Sequence, residues 1–176
     1  MTTLSDTLLL QRIGQGDKTS FDTLFLRHYD RVYGLLFRLL GERGEAEDVA
    51  QEVFLKLYHS PFSANEEHNV AAWLYRVATN MGYNAIRGRK RLFQRNVHLV
   101  PDPAPDPADT VAQREAAAKV RTALAKLNPR QTQLLLLRQM GFSYEELADA
   151  CGVASGSVGT LLARAGKAFR DVYGRD

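Results

Sequence analysis

The chain has 176 residues, room for one medium or two small domains, and 45% of them are apolar, enough for a buried core. Its net charge of +3 suits a nucleic-acid partner without requiring one, and its single cysteine excludes an internal disulfide framework. No apolar run approaches the roughly 18 residues of a membrane span, and the N-terminus lacks the basic start and apolar core of a secretory signal, so a cytoplasmic protein without membrane insertion is expected.

In chain order the pattern predicts helices almost throughout. Residues 5–14 form a short amphipathic piece that ends at "GQGD". From Lys18 to Leu40, Phe21, Leu24, Phe25, His28, Val32, Leu35, Leu36 and Leu39 recur at three- and four-residue steps, and Gly41 is a natural stop. "EAEDVAQEVFLKLYHS" repeats the pattern with Val49, Val53, Phe54 and Leu57, and its first turn is acidic, as the helix dipole favours. Residues 60–68 read as a loop, after which Asn69 can cap a helix through "VAAWLYRVATNMGYNAIRGRKR".

"LVPDPAPDPADT", residues 99–110, holds four of the six prolines and reads as an extended, solvated spacer. Beyond it, Thr110 can cap a helix to Leu127, and Asn128 with Pro129 opens another that stops at Gly141. Ser143 and Glu146 form a capping box, and Ser155 can cap a last helix reaching Tyr173. No segment alternates with period two. The expectation is an all-α chain with residues 1–95 as one small helical domain, 96–112 as linker and 113–176 as a second domain.

Between Arg76 and Arg95 lie six basic residues, Arg76, Arg87, Arg89, Lys90, Arg91 and Arg95, and no acidic one. Trp73, Tyr75, Asn80, Tyr83 and Asn84 are interleaved or adjacent. Cations neutralise phosphates, aromatic faces stack on unpaired bases and amides bond to base edges, so together these are what a groove for single-stranded DNA needs. The same residues fit a solvated helix end with a partly buried tryptophan, and both readings stand at this level. The acidic helix, with Glu45, Glu47, Asp48, Gln51 and Glu52, would be repelled by phosphates; its exposed face suits a basic protein partner or plain solvent.

Other signals are weak. Cys151 reads as a small buried hydrophobe. His28, His59, His68 and His98 are scattered, without metal-ligand spacing, so no metal is expected. There is no nucleophile elbow, phosphate-cradling loop or dinucleotide fingerprint. No catalytic residue, cofactor or small-molecule substrate is expected.

Taken together and in order, "FDTLFLRHYDRVYGLLFRLLG", "AEDVAQEVFLKLY", "AAWLYRVATNMGYNAIRGRKR", "LNPRQTQLLLLRQMGFSYEELADACGV" and "GSVGTLLARAGKAF" resemble the extracytoplasmic-function sigma factors, over nearly the whole chain. The resemblance implies that Asp48, Gln51, Glu52 and Phe54 dock on core RNA polymerase. It implies that Trp73, Arg76, Asn80, Asn84, Arg87, Arg89, Lys90 and Arg91 engage the melted −10 element of promoter DNA. The family usually carries Asp where this chain has Asn84. Arg138, Ser155, Ser157, Thr160, Arg164 and Lys167 would serve the −35 element in a helix-turn-helix, and an anti-sigma protein is the usual regulatory partner.

In the last helix the family pattern runs roughly Gly-Thr-Val-Lys-Ser-Arg-Leu, then Arg-Ala-Arg. Gly159, Leu161 and Gly166 stand here at three of its basic positions. Altered −35 contact is expected, with Leu161 either meeting a thymine methyl or packing against a regulator or the other domain. Two other readings remain open: a stand-alone helix-turn-helix regulator on duplex DNA, and a sigma-like interaction module that has lost promoter binding.

Overall fold

A computed structural model describes residues 4–59, 69–95 and 109–175. The expected loop 60–68 and most of the expected proline-rich linker, residues 96–108, lie outside these residues, as do His68 and His98.

Helix α1 (Asp6–Gly14) begins where the Ser5 hydroxyl accepts from the Leu8 amide, and it buries Leu9, Leu10 and Ile13. Asp6 then ties it to the next helix, forming an ion pair with Arg27 and placing Oδ2 2.6 Å from His28 Nε2. Burial opposes ionisation of Asp6, but His28 and Arg27 outweigh it and hold the carboxyl below 3.8.

Helix α2 (Lys18–Leu40) is capped by the Asp17 carboxylate and ends at Gly41, whose φ of 77° is left-handed. It is the hub of the first block and touches α1, α3 (Arg43–His59) and α4 (Val70–Arg95). Its apolar face buries Leu24, Val32, Leu35 and Leu36 against Val53, Phe54, Leu57 and Leu74. Phe21, Phe25, Tyr29, Tyr33 and Phe37 recur every four residues along it, and successive rings from Phe25 to Phe37 stack at 4.7 to 6.2 Å. Gly82 brings α4 close to α2, since a Cβ there would lie 2.6 Å from Leu39 Cδ2. The start of α3 owes more to Glu42 than the sequence suggests: its carboxylate accepts from the Gly44 and Glu45 amides.

The second block contains α5 (Val111–Ala125), α6 (Pro129–Gln139), α7 (Tyr144–Cys151) and α8 (Val158–Tyr173). Thr110, Asn128 and Ser143 each cap a helix as their sequence positions predict, and the capping box expected at Ser143 is also complete at Thr110 and Asn128. Gly152, at φ 63°, closes α7 and turns the chain toward α8. Ser155 does not cap α8 as expected. Residues Ser155–Ser157 wind as a 3-10 turn, the Ser157 amide bonds to the Ala154 carbonyl at 2.9 Å, and no side chain caps this end. Backbone bonds satisfy the early amides, so the hydroxyl is left to solvent.

Among the described residues every regular element is helical, so the chain is all-α. The two blocks also touch: α4 packs on α6 and α7, and α2 on α5 and α6.

Candidate nucleic-acid and polymerase interfaces

On α3, Asp48, Gln51 and Glu52 are exposed. They lie at three- and four-residue steps and so share a face. The fourth expected member departs from this: Phe54 is 0% exposed. It lies 4.8 Å from the Phe25 ring and 6.1 Å from Tyr29, edge-on or tilted. Phe54 belongs to the apolar stripe of α3, which the core requires, and it cannot touch a partner. Leu55, 52% exposed, occupies the next step of the acidic face and was not singled out by sequence reasoning. A solvated leucine beside three hydrophilic side chains was the signal.

On α4, Trp73, Arg76, Asn80, Asn84, Arg87 and Arg91 follow one another by three or four residues. At 3.6 residues per turn they fall within about 80° of one another. Arg76, Asn80, Asn84, Arg87 and Arg91 are exposed, and Trp73 is half-buried against the core. The Arg87 guanidinium donates to Asn84 Oδ1 at 3.1 Å and Arg91 Nε to the Arg87 carbonyl at 3.4 Å, which fixes how the cations project. Arg95, also exposed, extends the stripe.

Two expected members lie elsewhere. Lys90 is exposed on the flank of the stripe. Arg89 points to the opposite side, donates to the Leu40 carbonyl at 3.3 Å and pairs with Glu45 at 3.3 Å. It fastens α4 to the α2–α3 corner, because the carbonyl end of α2 and a half-buried carboxylate both attract a cation.

On α8, Ser157, Thr160, Arg164 and Lys167 share an exposed face, and Ser155 is exposed in the turn before it. Arg138 is not part of this face. Its guanidinium donates to the Phe142 carbonyl at 2.8 Å and lies 5.3 Å from the Tyr144 ring centre, so it braces the α6–α7 corner. Leu161 is half-buried and packs against the core. Gly159 sits beside Tyr144: a Cβ there would be in ordinary contact with the ring, 3.6 Å from Cε2. Cys151 is buried, and desolvation pushes its thiol up to about 11, the behaviour of a small core residue. Among the described residues no cluster of metal-binding side chains occurs, and no helix is long and apolar enough to cross a membrane.

An acidic face on one helix, a cationic and aromatic face on the next, and a helix-turn-helix behind them define a DNA-binding protein that also docks on another protein. Comparison with known proteins narrows this. Residues 24–92 match the Sigma-70 region 2 family and residues 117–168 the Sigma-70 region 4 family. The RNA polymerase sigma-H factor of Pseudomonas aeruginosa is 30% identical, over 96% of this chain and 94% of its own length. The ECF RNA polymerase sigma-E factor of Haemophilus influenzae is 30% identical, over 92% of each chain. Among solved structures, CnrH in complex with the cytosolic domain of CnrY has a TM-score of 0.65 at 21% identity, covering 97% of this chain and 98% of its own, and so shares the fold. The chain belongs to the extracytoplasmic-function sigma factors of RNA polymerase. As such it directs bacterial RNA polymerase to promoters to initiate transcription.

Proposed function

We propose that the three faces divide this work as follows. Asp48, Gln51, Glu52 and Leu55 dock on a basic surface of core polymerase. Trp73, Arg76, Asn80, Asn84, Arg87 and Arg91 hold the melted −10 strand, the ring stacking on a base while the cations neutralise phosphates. Ser155, Ser157, Thr160, Arg164 and Lys167 meet the −35 duplex as the second element of a helix-turn-helix. Residues 1–95 act as the first functional unit and 113–176 as the second, joined through 96–112. The action is recognition rather than covalent chemistry, carried out in the cytoplasm and restrained by an anti-sigma protein.

The observation that carries this reading is the single stripe on α4, where a half-buried tryptophan aligns with two exposed amides and the exposed Arg76, Arg87 and Arg91. Run-off transcription with core polymerase tests it. Asn80→Ala should abolish most transcript while leaving core binding intact, and Glu52→Lys should lose core binding. Full transcription from both variants rules this division out.

A further inference from the structure

Outside these three faces, a cavity of about 560 Å³ opens to solvent between the end of α2 and helices α5, α6 and α8. Its volume lies within the roughly 300–1,000 Å³ of small-molecule sites. Phe37 from α2, Val120 and Leu124 from α5, Leu135 from α6 and Phe169 from α8 contribute to a wall that is mostly carbon. Its polar side chains are Arg38, Arg121 and Gln139, and none of the lining residues is acidic. No residue of the wall belongs to the acidic face of α3 or to the polar stripes of α4 and α8.

The two arginines differ in how they are satisfied. Arg38 is exposed and donates to the Gly34 carbonyl of its own helix at 2.9 Å. Arg121 is half-buried. Its guanidinium lies against Gly41, where any Cβ would collide with it, so the glycine at the end of α2 makes room for the side chain. Among the described residues Arg121 forms no hydrogen bond and no ion pair. Burial first, and then the nearby charge of Arg89, act against its positive charge and push its pKa down. Arg89 has a counter-ion in Glu45 at 3.3 Å, whereas Arg121 has none among the described residues. The carbonyl end of α2 favours a cation in general, but that leaves the fork of guanidinium donors open. A half-buried charge without a partner is unfavourable until an anion reaches it.

We infer that this cavity binds a fatty-acid anion, with the alkyl chain against the apolar wall and the carboxylate on the open fork of Arg121. A carboxylate meets a guanidinium fork through two parallel hydrogen bonds, which are stronger than neutral ones. One open fork suits one carboxylate, and Arg38 adds a second positive charge to the same cavity. An unbranched alkyl tail suits a wall that offers mostly carbon, because it brings no polar group that would be buried without a partner.

Calorimetric titration of the full-length protein with dodecanoate, kept below its micelle concentration, tests this. One equivalent should bind. Dodecanol, which has the same chain without the charge, should bind at least tenfold more weakly. Arg121→Met keeps most of the side-chain bulk and removes the charge, so dodecanoate should weaken at least tenfold while dodecanol is unaffected. Arg121→Lys should restore part of that loss. Val120→Trp, at an exposed position of the wall, should block both ligands with helicity unchanged. Equal affinity for dodecanoate and dodecanol overturns the inference, as does an Arg121→Met variant that keeps helicity and binds dodecanoate as tightly as the unaltered protein. Absence of binding to the full chain also overturns it, including the case in which the chain's own residues 96–108 fill the cavity. Binding of several equivalents, untouched by Val120→Trp, means adsorption to the general surface and overturns it too. If Arg121→Met loses helicity, the dodecanol comparison and Val120→Trp still decide.

Discussion

Helices α4 and α8 both turn a polar stripe to solvent, yet the two stripes differ in charge. The α4 stripe carries four arginines, Arg76, Arg87, Arg91 and Arg95, with two amides and a tryptophan. The α8 stripe carries two cations, Arg164 and Lys167, with small hydroxyl side chains. Phosphate attraction scales with the number of cations that displace counterions. Under the proposed division, most of the DNA affinity therefore resides in α4, and α8 contributes position more than strength.

Removing charge from each stripe in turn is the sharpest way to break this contrast. Replacing all four α4 arginines with alanine should lower the slope of log affinity against log salt by about 3 on a single-stranded −10 oligonucleotide. Arg164→Ala with Lys167→Ala should lower it by about 2 on a −35 duplex and leave the single strand unaffected. Salt titrations by fluorescence anisotropy measure both. A larger loss from the α8 pair reverses the assignment of strength.

The stripes themselves were legible in the sequence, because a period of 3.6 is local information and both helices keep it. So were the caps at Thr110, Asn128 and Ser143, whose partners lie three residues away. What escaped is tertiary. Phe54 satisfies both a core stripe and a docking motif, and only the Phe25 ring above it decides. Arg89 sits in a basic run but is held by Leu40 and Glu45, far away along the chain. Tyr75 and Tyr83 read as DNA-facing aromatics, yet they line the face of α4 that the second block covers.

That inner face of α4 also differs from the outer one in how it answers to pH. Burial pushes the Tyr75 phenol above 10.0 against the opposing pull of Arg31, and pushes Tyr83 up against the Thr132 hydrogen bond. A raised tyrosine pKa means that folding favours the neutral phenol. The stabilisation is whole below pH 10.0 and is lost as pH climbs through the raised values. Near-ultraviolet circular dichroism should show the contact between the two blocks loosening above pH 10, with a smaller change in Tyr83→Phe. An identical alkaline profile for the two proteins removes Tyr83 from the account.

The smallest expected effect concerns Gly159, and it separates two explanations of why α8 is weak. If the glycine is there to let the backbone approach DNA, a methyl group should obstruct binding. The structure instead places it beside Tyr144, away from the line of Ser157, Thr160 and Arg164, with room for a Cβ. Gly159→Ala should then stabilise the helix by about 1 kcal/mol through backbone entropy. In a chain of this length that raises the melting temperature by about 2–4 °C. Affinity for the −35 duplex should stay within about twofold, because no phosphate contact changes. A melting gain accompanied by a tenfold loss of duplex binding means that the backbone at 159 does meet DNA. The reading face of α8 then has to be redrawn around that glycine.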